Sequence, residues 1–98
     1  MSEMHLRLSD AAKWIEGARI QGDASVLMNR VHTDSRSVQA GDLFIALQGE
    51  RFDAHDFLAQ VSQSGASAAM IVTGKANTNL PCIEVADTRK GLGQLAKG

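Results

Sequence analysis

The stretch Thr33–Phe57, TDSRSVQAGDLFIALQGERFDAHDF, decides how this chain of 98 residues is read. Its centre, Leu43-Phe44-Ile45-Ala46-Leu47, is a short apolar run bounded by Gly41-Asp42 and Gly49-Glu50. A run of that length between turn residues predicts a buried strand. Two polar clusters flank it, Thr33-Asp34-Ser35-Arg36 before and Gly49-Glu50-Arg51-Phe52-Asp53 after. A helix start follows at once. Charged loops at the ends of buried strands, beside helix N-termini, are where α/β proteins hold anions and nucleotides.

Working outward, Asp53 begins a predicted helix that runs to about Ser64, with Gly65 as its stop. Ala54, Phe57, Leu58 and Val61 recur at i, i+3, i+4 and i+7, which lays one apolar stripe on a sheet and places Phe57 in the core. Ser67–Val72 and Cys82–Val85 read as two further buried strands, separated by a polar loop, Thr73–Asn79, that Pro81 closes. Val26–Val31 is a weaker strand leading into the first polar cluster. Near the start, Ser9–Gly17 predicts a short helix capped by the Ser9 hydroxyl, favoured by Asp10 at its positive end and stopped by Gly17. Asp87-Thr88 caps a last helix with Leu92, Leu95 and Ala96 inward. The pattern predicts a small layered α/β domain, residues 1–98, with a mostly parallel or mixed sheet flanked by helices. A helix that stops at Lys97-Gly98 is expected at a domain boundary inside a longer protein.

The two polar clusters lie toward opposite ends of the central strand in sequence. They converge only if the preceding strand runs parallel to it, and Ser37–Asp42 is a short crossover for that. Asp34 and Arg36 are expected to tie their loop together by a salt bridge or backbone hydrogen bonds. Asp42 reads as a turn residue and Asp53 as a helix cap. His55 is open between packing and a polar contact.

Composition narrows the function. Ten Lys and Arg against eleven Asp and Glu give a formal net charge of -1, without the basic excess of a nucleic-acid surface. No apolar stretch approaches the ~20 residues that span a bilayer, and MSEMHLRLSD has no signal-peptide pattern. The single cysteine, Cys82, sits in an apolar run and reads as a buried inert thiol in a reducing, cytoplasmic setting. His5, His32, His55 and Cys82 lack metal-ligand spacing, so no metal site is expected. Gly74-Lys75 fails as a phosphate loop, because Ala69 and Ala76 occupy the positions that need Gly and Ser or Thr. Gly91-Leu92-Gly93-Gln94-Leu95-Ala96 fits a dinucleotide fingerprint only formally. Its glycines fall inside the predicted helix and not in a turn after a strand, so close helix-to-sheet packing is the plainer reading. The chain alone is therefore expected neither to hydrolyse ATP nor to need a cofactor.

Asp34-Ser35-Arg36, Gly41-Asp42-Leu43-Phe44-Ile45-Ala46 and Gly49 through Phe57, with Ser67–Val72 and Asp87-Thr88-Arg89, together resemble the N-terminal domain of the Mur ligases of bacterial peptidoglycan synthesis. The ordered set covers nearly the whole chain. The wording Gly49-Glu50-Arg51-Phe52-Asp53-Ala54-His55-Asp56-Phe57 is most similar to the member that adds D-alanyl-D-alanine. The resemblance implies a first domain that holds the UDP part of UDP-N-acetylmuramoyl-peptide. ATP with Mg, and the D-alanyl-D-alanine, would belong to two further domains of a cytoplasmic ligase that works through an acyl phosphate. It maps substrate contacts to Thr33, Ser35, Glu50, Arg51 and Phe52. Short hydroxyls suit phosphate or ribose oxygens, Arg51 suits charge-assisted hydrogen bonds, and Phe52 suits the uracil face. Two rival readings share the scaffold. One is the sister ligase that adds the third stem-peptide residue. The other is a regulatory or interaction module similar to the N-terminal domain of HPr kinase/phosphatase, which fold alone does not exclude.

Overall fold

The computed structural model of the chain describes residues 6–47, 53–74, 78 and 80–97. The apolar run forms β5 (Asp42–Ile45), flanked by β4 (Arg30–His32) and β6 (Ala68–Val72). β7 (Cys82–Val85) lies beyond β6, and these four strands are parallel. β2 (Arg19–Gln21) closes the far edge antiparallel to β7, giving the order β2-β7-β6-β5-β4. A separate ribbon pairs β1 (Leu6–Arg7) with β3 (Leu27–Met28). The expected small α/β domain with a mixed sheet is the observed one.

The alternation of side chains along the strands divides the core in two. Leu43, Ile45, Ala68, Met70, Ile83 and Val85 face α1 (Leu8–Lys13) and α3 (Thr88–Lys97), through Leu8, Ala11 and Leu95. Phe44, Ala46, Ala69, Ile71 and Cys82 face the other way, onto Ala54, Leu58 and Val61. Because both faces are covered, the strands read as continuous apolar runs. Gly91 lies on the inner side of α3, where a Cβ would stand 2.8 Å from Met70 Sδ. The glycine is there for close packing on the sheet, as its place inside a helix implied.

Several local expectations shift. The first helix begins at Leu8, with Arg7 and not Ser9 at its N-cap; the Arg7 N–H meets the Asp10 carboxylate at 3.4 Å. Ser9 is inside the first turn. The free N–H groups there are met by backbone, Leu8 donating to Val26 O at 3.0 Å and Ser9 to Ala24 O at 2.9 Å. No hydroxyl cap is needed. Gly17 does turn the chain, at φ 75°. The strand expected over Val26–Val31 divides between two sheets at Asn29, whose N–H donates to Gly41 O at 2.9 Å. Gly41, at φ 89°, has its Cβ position filled by the Asn29 side chain, so only glycine fits there. β2 carries a single apolar residue, Ile20, and gave no period to read.

The helix expected from Asp53 is a 3-10 turn, Ala54–Phe57, followed by α2 (Leu58–Gln63). At the junction Phe57 has φ -101° and ψ 8°, off the helical spiral. Phe57 is 39% exposed, whereas Ala54, Leu58 and Val61 are buried. Phe57 is not a core residue.

Candidate functional site

β4 and β5 lie side by side with Arg30 opposite Asp42 and His32 opposite Phe44. Thr33 therefore leaves the same sheet edge as Ala46 and Leu47, and the parallel arrangement that convergence requires is present. The return leg, residues 37–41, replaces the usual crossover helix. Its Val38 is buried against the Phe44 side of the sheet. Asp42 anchors this leg. Its carboxylate accepts Arg30 Nε and Nη2, each at 2.7 Å, and the Gln39 N–H at 2.8 Å. Arg30 Nη2 also donates to Ser37 O at 3.3 Å. Asp42 thus closes the turn expected of it, its N–H donating to Gln39 O at 3.1 Å, and is also a buried ion-pair hub. Burial pushes its pKa up, but the hydrogen bonds from Arg30 and Gln39 and the Arg30 charge hold it below the ordinary carboxylate value.

The loop that follows β4 sorts its polar groups into two sets. Asp34 accepts Arg36 Nε and Nη2 at 3.1 Å and the Arg36 N–H at 2.9 Å, the expected internal tie. The Arg36 side chain and then its N–H lower the pKa of Asp34. Ser37 Oγ meets His32 Nε2 at 2.6 Å. The hydroxyls of Thr33 and Ser35, by contrast, have no partner among the described residues. They line a cleft of about 480 Å³ together with the Asp34–Arg36 pair, and buried Phe44 and Ala54 underlie it. Phe57 and Gln60 complete its lining among the described residues.

The second cluster is described only from Asp53 onward. Glu50, Arg51 and Phe52 lie outside the described residues. Ala54 N–H donates to Leu47 O at 3.0 Å, so the chain re-enters beside the point where it leaves. Asp53 caps the 3-10 turn by accepting the His55 N–H at 3.0 Å, as its position predicted. His55 is buried and makes polar contacts with both ring nitrogens. Nε2 accepts the Val72 N–H at 2.9 Å, which leaves the proton on Nδ1 to donate to Asp53 Oδ1 at 2.5 Å. The ring ties the start of the turn to the end of β6. His55→Ala is expected to cost about 2 kcal/mol, mostly because the Val72 N–H is left unpaired. His55→Gln, whose amide oxygen can accept that N–H, should cost less in urea unfolding.

Other sequence readings resolve simply. Burial first, and then the Glu84 charge, push the Cys82 thiol up to about 11, an inert group. Among the described residues no cluster of His, Cys, Asp and Glu could hold a metal ion, and no helix is long and apolar enough to cross a membrane. Phe57, read as core, and Gln60 were missed as residues lining the cleft. Their only sequence signal is that they follow the cap at helical spacing.

The sequence model of the Mur ligase family, catalytic domain, matches residues 27–98. The UDP-N-acetylmuramoyl-tripeptide--D-alanyl-D-alanine ligase of Escherichia coli (strain K12) is 43% identical over 82 residues, 84% of this chain and 18% of that protein. The UDP-N-acetylmuramoyl-L-alanyl-D-glutamate--2,6-diaminopimelate ligase of Geobacter sulfurreducens is 35% identical over 95 residues, 93% of this chain and again 18% of the relative. A crystal structure of MurF from Acinetobacter baumannii superposes with a TM-score of 0.85 at 34% identity, over 97% of this chain and 21% of that one. The chain spans about a fifth of the length of the relatives it matches. With the parallel β4–β5 pair, the polar loop between them and the capped turn after β5 in place, these likenesses make the chain a member of the Mur ligase family.

Proposed function

We propose that the chain is the N-terminal, UDP-substrate-binding domain of a three-domain peptidoglycan-precursor ligase. That enzyme would add D-alanyl-D-alanine to UDP-N-acetylmuramoyl-tripeptide in the cytoplasm, with ATP and Mg bound by its other domains. One observation carries the reading. Asp34 and Arg36 pair with each other and Ser37 with His32, whereas the Thr33 and Ser35 hydroxyls have no partner among the described residues and line a cleft beside the carboxyl ends of parallel strands. These hydroxyls would bond phosphate or ribose oxygens. Glu50, Arg51 and Phe52 would complete the site from the adjoining segment.

The D-alanyl-D-alanine-adding reading is supported by the higher identity to that relative, 43% against 35%. The longer match to the diaminopimelate-adding relative, 93% of the chain, keeps the sister ligase as the second reading. Assay of the full-length parent with each amine separates them.

The domain reading is tested by titrating isotope-labelled chain with uridine diphosphate by NMR. Affinity near millimolar, about -4 kcal/mol, is expected from one domain's contacts. Shifts should centre on residues 33–36 and 49–55. Ser35→Ala should weaken binding by about 1 kcal/mol, roughly fivefold, the net value of one hydrogen bond. Absence of shifts at several millimolar would favour an interaction module.

A further inference from the structure

Among the described residues His55 is the imidazole sealed into the fold, its side chain 3% exposed. Both ring nitrogens are committed, in opposite senses. Nε2 accepts the Val72 N–H at 2.9 Å, and a backbone N–H can only donate, so this nitrogen carries no proton. Nδ1 donates to the Asp53 carboxylate at 2.5 Å. Met70 O accepts the Ala46 N–H at 3.0 Å, but two residues on, the Val72 N–H goes to the ring and not to a strand. The ring therefore holds the end of β6 where the strand pairing stops. The turn to which it belongs, Ala54–Phe57, supplies Ala54 and Phe57 to the cleft.

We propose that neutral His55 is the positioning residue for the Ala54–Phe57 side of the cleft, and that a proton on its Nε2 releases this turn from β6 and weakens ligand binding. The inference rests on the uridine-diphosphate reading for the ligand and assigns the regulation of that site. A protonated Nε2 would set two donors face to face, so the bond to Val72 breaks. The bond to Asp53 responds the other way and becomes a charge-assisted pair. Asp53 and His55 stay together, and the contact with β6 gives way. The change is local, because Ala54 N–H still donates to Leu47 O at 3.0 Å and Leu58 and Val61 remain in the core. Strand alternation fixes which other titratable groups share this face of the sheet. β4 brings Arg30 and His32, and β5 brings Asp42, which Arg30 holds. β7 brings Glu84 and Cys82, whose thiol is pushed up to about 11 and stays neutral. β6 and α2 carry no titratable side chain, and Asp56 on the turn is exposed. Among the described residues the charged group in contact with the ring is Asp53. His32 is the other imidazole near the cleft, bonded to Ser37, and serves as the control.

The isotope-labelled chain is followed by NMR from about pH 8 to about pH 5, the span in which histidines change charge, with and without uridine diphosphate. As the His55 ring charges, the Val72 amide should shift and lose its exchange protection with the same midpoint, and the Ala54 and Phe57 signals should move with it. His55→Gln can accept the Val72 N–H at every pH, so the pH dependence left in that variant belongs to the ligand's phosphate. In the unsubstituted chain, affinity should fall about fivefold further than in His55→Gln, the effect of one hydrogen bond. His32→Gln should keep that fall. Urea unfolding of each variant shows that it is folded, and the Val72 amide of the unsubstituted chain needs no variant. A His55 ring that charges with the Val72 amide unmoved, a ring that stays neutral to about pH 5, or an equal fall in His55→Gln overturns this inference and leaves the domain's function standing. Failure of the unsubstituted chain to bind uridine diphosphate at about pH 8 overturns the function itself, while the Val72 amide still reads the ring without ligand.

Discussion

Replacing Phe44 by alanine is expected to lower the free energy of unfolding by about 3–5 kcal/mol, the range for removing a fully buried ring. Phe44 is 0% exposed at the centre of β5, and its ring belongs to the core that Ala54, Leu58 and Val61 cover. A domain this small is stable by roughly 5 kcal/mol, so the substitution consumes most of that margin. Phe57→Ala is the matched control. Its ring is 39% exposed, and the expected loss is about 1 kcal/mol from the smaller apolar area returned to water. Urea unfolding followed by circular dichroism reads both. Equal midpoints for the two variants would show that the assignment of core and cleft is wrong.

Arg30→Ala is expected to cost about 3 kcal/mol. It leaves the buried Asp42 carboxylate with only the Gln39 N–H, and breaking a buried pair from one side leaves an uncompensated charge. Arg30 itself is 42% exposed, which puts the cost at the low end for such pairs. The pH dependence follows from the direction of the Asp42 shift. Its folded pKa lies below the unfolded value of 3.8, so its contribution is complete above that pH. It is lost as pH falls through the lower folded value. In Arg30→Ala the carboxylate loses its largest stabilising partner, so the acid side of the stability curve should flatten and move up in pH. Thermal unfolding between about pH 2 and pH 7 measures this. Asp42→Asn in the Arg30→Ala background should recover part of the loss, because the neutral amide removes the unpaired charge. No recovery would mean that the pair is not the anchor of the return leg.

How much was legible beforehand depends on how local each signal is. Leu43–Leu47, Ser67–Val72 and Cys82–Val85 were read as strands because both faces of the sheet are covered and the runs are continuously apolar. Asp53 and Asp87 were read as caps because a short carboxylate reaches the N–H two or three residues ahead, as Asp87 does to Arg89 at 2.9 Å and Lys90 at 3.2 Å. Asp34 and Arg36 were read as a tie for the same reason. β2 was not legible, since three residues with one apolar side chain carry no period and the strand exists only by pairing with β7. The division of Val26–Val31 between two sheets was equally hidden.

The site shows the same boundary. The sequence by itself determined where the polar loops, the caps at Asp53 and Asp87 and the buried strands fall, because those follow from contacts between residues a few positions apart. Only the tertiary structure decided that Asp42 meets Arg30 across the parallel β4–β5 pair, that His55 reaches Val72 at the end of β6, and that Phe57 faces a cleft. Each of these depends on strands brought together from distant parts of the chain, or on the backbone angle at one helix junction. Side-chain periodicity carries information about which face of an element is apolar. It carries none about which element that face will meet, because the pairing is chosen by packing of the whole core.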